Sequence, residues 1–148
     1  MSNVFWDTNL FIYLIEDYED LSEKVASLKK RMNERNDKLY TSSLTLGEIL
    51  VKPVEEQEES LVRQYQDTLK MGTHLLSFDE AAAVQYARIR RDRSIRPPDA
   101  IQLACAAAAG MDLFITNDER LSQKSVKGIH FITSLERARL LIDPPEHK

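Results

Sequence analysis

The chain has 148 residues, a length that suits one domain with a full hydrophobic core. Apolar residues make up 43% and charged residues 30%, an ordinary globular balance, and no apolar run nears the roughly 20 residues that span a bilayer. The formal net charge of −4 excludes attachment to nucleic acid by overall charge, though not by a local basic patch.

In chain order, apolar periodicity alternates between strand and helix. Residues 3–6, NVFW, read as a strand that ends at Asp7, and LFIYLIED then begins a helix. Residues 21–35 form a second, amphipathic helix with Leu21, Val25, Leu28 and Met32 on one face. KLYTS, 38–42, is a strand, and LTLGEILV, 44–51, is a helix that stops before Pro53. A charged surface helix follows over 55–71, closed by Gly72. HLLSF, 74–78, is a strand, and Asp79 is a natural N-cap for a helix over 80–93. Pro97 and Pro98 open the next helix and Gly110 closes it. LFIT, 113–116, and GIHFI, 128–132, are strands; a final helix over 134–142 precedes a frayed DPPEHK tail.

This alternation predicts an α/β domain with a mostly parallel sheet, spanning 1–148 as one unit. No internal repeat, low-complexity segment or linker divides it. The acidic run from Glu55 to Glu59 reads as a solvated helix face. Cys105, the single cysteine, reads as a small core residue, and His74, His130 and His147 lack zinc-ligand spacing. No leader segment is expected at the start, and a reducing cytoplasm is the expected compartment.

Four acids fall at similar junctions. Asp7 follows the first strand, Glu48 lies early in the helix after the second, and Asp118 follows LFIT. Open α/β sheets bind ligands beyond the carboxyl ends of their strands, so these three point to one edge. Asp99 joins them from a helix start that the two prolines define, where the helix dipole favours an ionised carboxylate. Each acid also has a local explanation. Asp7 and Asp118 can cap helices, Thr45-x-x-Glu48 fits a capping box, and Asp99 is a favourable first-turn acid. Taken together, the local explanations require all four to reach the functional edge by coincidence. Crowded carboxylates repel unless a cation is present, and oxygen-only ligands suit Mg²⁺ or Mn²⁺. Such a site can position water for attack on a phosphodiester. Ser42, Ser43 and Thr8 have no evident histidine partner, which disfavours a Ser–His–Asp hydrolase.

The set WDTN, LGEIL, PPDAIQLACA and LFITNDERL resembles the PIN-domain ribonucleases, and looks most like the VapC-type toxins of bacterial and archaeal toxin–antitoxin pairs. The likeness runs from Asn3 to about Ser134. Its most specific part is the D-A-x-x-x-A block followed by F-x-T-N-D. The resemblance implies an α/β/α sandwich that cuts RNA with Mg²⁺ or Mn²⁺. Asp7, Glu48, Asp99 and Asp118 take the family's acidic, metal-holding and catalytic places. Asn9 and Thr116 match polar positions that orient the acids, with local capping or turn hydrogen bonding as an equal alternative, and Asn117 receives no catalytic role. A cognate antitoxin and a toxin homodimer are implied as partners.

ARIRRDRSIRPPD places Arg88, Arg90, Arg91, Arg93 and Arg96 just before Asp99. Guanidinium groups beside a metal site can hold RNA phosphates, and Arg96, nearest Asp99, is the best candidate. Part of this patch is also explained as a solvated helix face, as is LKKR. Trp6 reads as core, and core is the preferred place for Phe11, Ile12, Leu14 and Ile15 as well. The leading expectation is therefore a metal-dependent, toxin-like endoribonuclease. A non-cleaving PIN-like RNA-binding or scaffolding domain is the alternative, and retention of all four acids argues against it. Phosphatases of the haloacid-dehalogenase kind want a second aspartate where Asn9 stands, and the pattern of a response-regulator receiver is missing.

Overall fold

The computed structural model describes residues 1–142. The chain runs β1 (Asn3–Trp6), α1 (Thr8–Ile15), α2 (Asp20–Arg35), β2 (Lys38–Ser42), α3 (Ser43–Glu55), α4 (Glu59–Gly72), β3 (His74–Leu76), α5 (Glu80–Ile89), α6 (Pro97–Ala109), β4 (Met111–Thr116), α7 (Glu119–Ser122), β5 (Ile129–Ser134) and α8 (Leu135–Ile142). The expected frayed tail, 143–148, lies outside the described residues. Among the described residues the strands form one five-stranded sheet in the order β3-β2-β1-β4-β5, with every pairing parallel. No helix of the described residues is long and apolar enough to cross a membrane.

Strand alternation sorts side chains into two buried layers, which makes the fold an α/β/α sandwich. Val4, Trp6 and Ile115 face a cluster with Leu10 and Phe11 of α1, Val25, Leu28 and Met32 of α2, Ile49 of α3 and Leu135 of α8. Phe5 and Phe114 point the other way, stacked at 4.9 Å between centroids, under α5 and α6. Both rings are fully buried. Each therefore contributes about 1.5–3 kcal/mol through the hydrophobic effect. The small side chains of α6 allow it to lie close on the sheet. Gly128, just before β5, completes this approach: a Cβ there would stand 2.6 Å from the Ala107 carbonyl oxygen, and its φ of 102° disfavours any side chain.

The outline of predicted elements matches, with differences that have local causes. The helix expected to stop before Pro53 runs to Glu55. Proline removes only its own N–H donor there, the ring is buried, and the amides of Glu56 and Glu58 close on the carbonyls of Lys52 and Pro53. The surface helix expected from Glu55 starts instead at Glu59, because Gln57 turns into the left-handed region at φ 58° and splits the run in two. The helix expected over 80–93 ends at Ile89. Beyond it, tight turns are held by Asp92, which accepts from the Ser94 amide and hydroxyl, and by Arg90 Nη1, which donates to the Ile95 carbonyl. Of the α1 residues expected in the core, Phe11 is buried, Ile12 and Ile15 are half-buried, and Leu14 is exposed.

Strand order reverses direction at the centre of the sheet. From β1 the chain builds outward through β2 and β3, then returns to place β4 on the other side of β1. A topological switch point of this kind leaves a crevice beyond the carboxyl ends of β1 and β4. Asp7 and Asp118 follow those two strands.

Candidate active site

The β1–β4 register pairs Trp6 with Ile115, so the next residues, Asp7 and Thr116, stand side by side. The Asp7 amide donates to the Ile115 carbonyl at 2.9 Å, extending the strand contact by one residue. Its side chain is fixed from two directions. Oδ1 accepts from the Thr8 amide at 2.8 Å, at the start of α1, and Oδ2 accepts from Thr116 Oγ1 at 2.8 Å. Asp7 is only 7% exposed. Burial pushes its pKa up to about 6; Asp99 and Glu48 add to the rise, while the Thr116 and Thr8 hydrogen bonds oppose it.

Thr116 also accepts from the Asp118 amide at 3.1 Å, so one buried hydroxyl links two of the predicted acids. Asp118 caps α7, with Oδ1 accepting from the Arg120 and Leu121 amides. Asp99 sits half-buried in the first turn of α6. Burial raises its pKa, with Asp118 and Glu48 contributing and Arg96 opposing. Both Asp99 and Asp118 line a cavity of about 290 Å³, together with Arg96, Arg120 and Lys124.

Glu48 is not part of a capping box. The N-cap of α3 is Ser42, whose hydroxyl accepts from the Leu44 amide, which places Thr45 inside the helix. Glu48 Oε1 instead accepts from Thr8 Oγ1 at 2.7 Å, reaching across from α3 to α1. Thr8 in turn accepts from Gln102 Nε2 at 3.0 Å. Gln102 is buried on α6, three residues beyond Asp99. Its Nε2 also donates to Thr45 Oγ1 at 2.8 Å, and its Oε1 accepts from the Ser42 hydroxyl. Thr45 is bonded further to Thr41. One buried amide thus ties α6 to α1 and α3 beneath the carboxylates, and a fully satisfied network of this kind favours a single arrangement.

Sequence reasoning passed over Gln102, Thr8 and Thr45. The available signal was a lone amide in an alanine-rich helix, one turn after Asp99 and so on the same face. Asn9 makes the turn hydrogen bond that is the alternative to orienting an acid, at the residue between Thr116 and Asp118. Its Oδ1 accepts from the Asn117 amide at 3.3 Å, and Asn117 Nδ2 donates to the Tyr13 hydroxyl, so the pair pins the β4–α7 turn to α1. Trp6 and Cys105 are core residues, as expected. Burial, followed by Asp79, pushes the Cys105 thiol up to about 11, which leaves it inert.

The four acids thus come from four places along the chain; Asp7 feels the charge of Asp99 and Glu48, and Asp99 that of Asp118 and Glu48. Among the described residues, however, no three His, Cys, Asp or Glu side chains are gathered closely enough to hold a metal ion as they stand.

A PIN-domain family model matches residues 4–127, from β1 through α7, and takes in all four acids. The chain belongs to the PIN-domain family. Solved structures agree on this PIN fold. VapBC2 from Rickettsia felis, bound to a promoter DNA fragment, matches at TM-score 0.66 and 16% identity, covering 88% of this chain and 97% of that one. DNA-bound VapBC from Salmonella typhimurium matches at TM-score 0.62 and 22% identity, over 91% and 99%. VapBC-5 from Mycobacterium tuberculosis, of the VapBC family of toxin–antitoxin systems, matches at 0.57 and 19%, over 90% and 99%. No curated protein matches the chain.

Proposed function

We propose that this PIN domain is a VapC-like nuclease that cuts RNA and is restrained by a cognate antitoxin. The observation that carries the reading is the PIN-family match over residues 4–127, which takes in Asp7 and Asp118 at the ends of β1 and β4 and Asp99 and Glu48 on the helices beside them. Each of the two whose proton affinity is raised feels two of the others. The donor set fits Mg²⁺ or Mn²⁺. It is all oxygen, two of its members follow strand ends, and burial drives Asp7 and Asp99 toward the neutral acid when no cation offsets them. Asp7, Glu48, Asp99 and Asp118 would hold the ion. When bound, the ion would supply positive charge that favours water as a nucleophile and offsets negative charge on the phosphodiester.

The chain's own groups prepare that chemistry. Thr116 and the Thr8 amide lock both Asp7 oxygens, and Thr8 presents Glu48 in one orientation. Arg96, beside Asp99, holds a substrate phosphate and partly offsets the carboxylate charge. Serine and threonine hydroxyls near the site are engaged in hydrogen bonds with one another, with Gln102 and with Glu48, consistent with attack by water and not by a side chain. The likeness to solved VapBC toxin–antitoxin proteins supports the antitoxin partner; a toxin homodimer and action in the cytoplasm belong to the same proposal.

The test is cleavage of an RNA panel by the purified chain in Mg²⁺, Mn²⁺ and EDTA, alongside Asp99→Asn. Cleavage that needs the cation and is lost in Asp99→Asn supports the reading. Cleavage that persists in EDTA, with metal content verified as nil, refutes the metal site. RNA binding without cleavage under every cation leaves the non-cleaving RNA-binding domain as the correct description.

A further inference from the structure

The cavity that Asp99 and Asp118 line does not end at the carboxylates. A second cavity, of about 520 Å³, shares Ile95, Gln123 and Lys124 with it, so the two adjoin along these residues and together make a trough on this face. The trough leads away from the acids, past the α5–α6 turn and the loop between α7 and β5. Its far part is lined by Arg88, Arg91, Lys124 and Lys127, with Asp92 as the only acid on that wall. Lys124 Nζ donates to Asp92 at 3.0 Å, and the Ser94 hydroxyl and amide bond the same carboxylate, so that negative charge is already compensated. Arg88, Arg91 and Lys127 are exposed. On a chain of net charge −4, this is a local concentration of cations directed at the acidic site.

We propose that this trough is the track for the flanking strand of a single-stranded RNA, with Arg88, Arg91, Lys124 and Lys127 holding its phosphates. The proposal rests on the nuclease reading only in that it extends the same substrate outward from the same carboxylates. Continuity with those carboxylates favours a polynucleotide over an acidic protein segment. The cations line cavities and do not form a flat face, which suits the backbone of one strand entering them better than the broad, shallow surface of an A-form duplex. None of the lining residues is aromatic, so there is no stacking platform. Recognition in the track is therefore of the backbone, steep in salt and indifferent to base. Of the arginines in ARIRRDRSIR, the structure separates Arg88 and Arg91, which line the track, from Arg90, which is tied to the Ile95 carbonyl.

The test is fluorescence anisotropy with labelled oligo-U and oligo-A RNA of about 12 nucleotides in EDTA, across a salt titration. The proteins are the parent chain, R91Q/K127Q, and K30Q/K70Q, which removes the same charge from α2 and α4. Circular dichroism confirms that each is folded. R91Q/K127Q should bind both RNAs on the order of tenfold more weakly, with the salt slope reduced by about 0.7 for each cation removed. K30Q/K70Q should match the parent. Equal loss in both variants, an unchanged slope in R91Q/K127Q, or a parent that binds no RNA overturns the track. Tighter binding of a synthetic Asp/Glu-rich peptide than of RNA, lost in R91Q/K127Q, also overturns it and makes the trough an acidic-protein dock. Because the readout is binding in EDTA, a parent that binds through these cations yet never cleaves refutes the nuclease and leaves the track standing.

Discussion

Replacing Asp7 by Asn should stabilise the metal-free protein, and only above a definite pH. The folded pKa of about 6, against the ordinary 3.8, means that the native state binds this proton more tightly than the unfolded chain does. As pH rises from 3.8 to 6 the native state must give up a proton that the unfolded chain has already lost, so stability falls across that window and stays lowered above it. The difference corresponds to about 3 kcal/mol. Asn removes the ionisation while its oxygen still accepts from the Thr8 amide. It loses the hydrogen bond donated by Thr116, worth about 1 kcal/mol. The net gain is about 2 kcal/mol, on the order of 4–8 °C in Tm for a chain of this size. Thermal melts of parent and Asp7→Asn in EDTA, from pH 3.5 to 8, measure it. The Asp7→Asn curve should lie about 1 kcal/mol below the parent's at the acid end, cross it between pH 4 and 6, and lie about 2 kcal/mol above it at neutral pH. Mn²⁺ should then raise the parent's Tm at pH 7.5 and leave that of Asp7→Asn nearly unchanged. A variant that is equally or less stable at pH 7.5, or a gain present also at pH 3.5, would refute the burial argument.

Arg96→Ala should weaken RNA binding and lower the salt slope by about 0.7, read by anisotropy, if its guanidinium holds a phosphate. Gln102→Leu leaves buried hydroxyls of Ser42, Thr8 and Thr45 short of partners, and should cost about 2–4 kcal/mol in urea unfolding. Thr8→Val frees Glu48 and should cut the cleavage rate with a smaller stability loss, so the two variants separate orientation of the acid from integrity of the fold. Gly128→Ala must push the Ala107 carbonyl aside and adopt an unfavourable φ, and should lose more than about 1 kcal/mol by the same unfolding measurement.

Three of the four candidate acids stand at a junction of patterns: Asp7 after NVFW, Asp118 after LFIT and Asp99 behind a double proline. Their supports are legible only in part. Thr116 is reached through the resemblance, as a polar position beside the acids. Gln102, by contrast, lies inside an alanine run whose periodicity says only that it is buried. Its partners Ser42, Thr8 and Thr45 are remote in sequence, and no local pattern records a hydrogen bond across 60 or 94 residues. Asn9 shows the converse. It stands two residues from Asp7, yet its partner is the Asn117 amide, 108 residues further along the chain.

By itself, then, the sequence determined the alternation of strands and helices, the capping of α5 by Asp79, the closure of α6 at Gly110, and which residue types reach the strand ends, since propensity, capping and periodicity act over a few residues. Tertiary structure alone decided the strand order, and with it that the ends of β1 and β4 are neighbours. It decided that Glu48 answers to Thr8 and not to Thr45, and that Arg88 and Arg91 share a wall with Lys124 and Lys127. Those outcomes depend on which faces pack together in two hydrophobic layers, a choice made by burial summed over the whole chain and invisible in any short stretch of it.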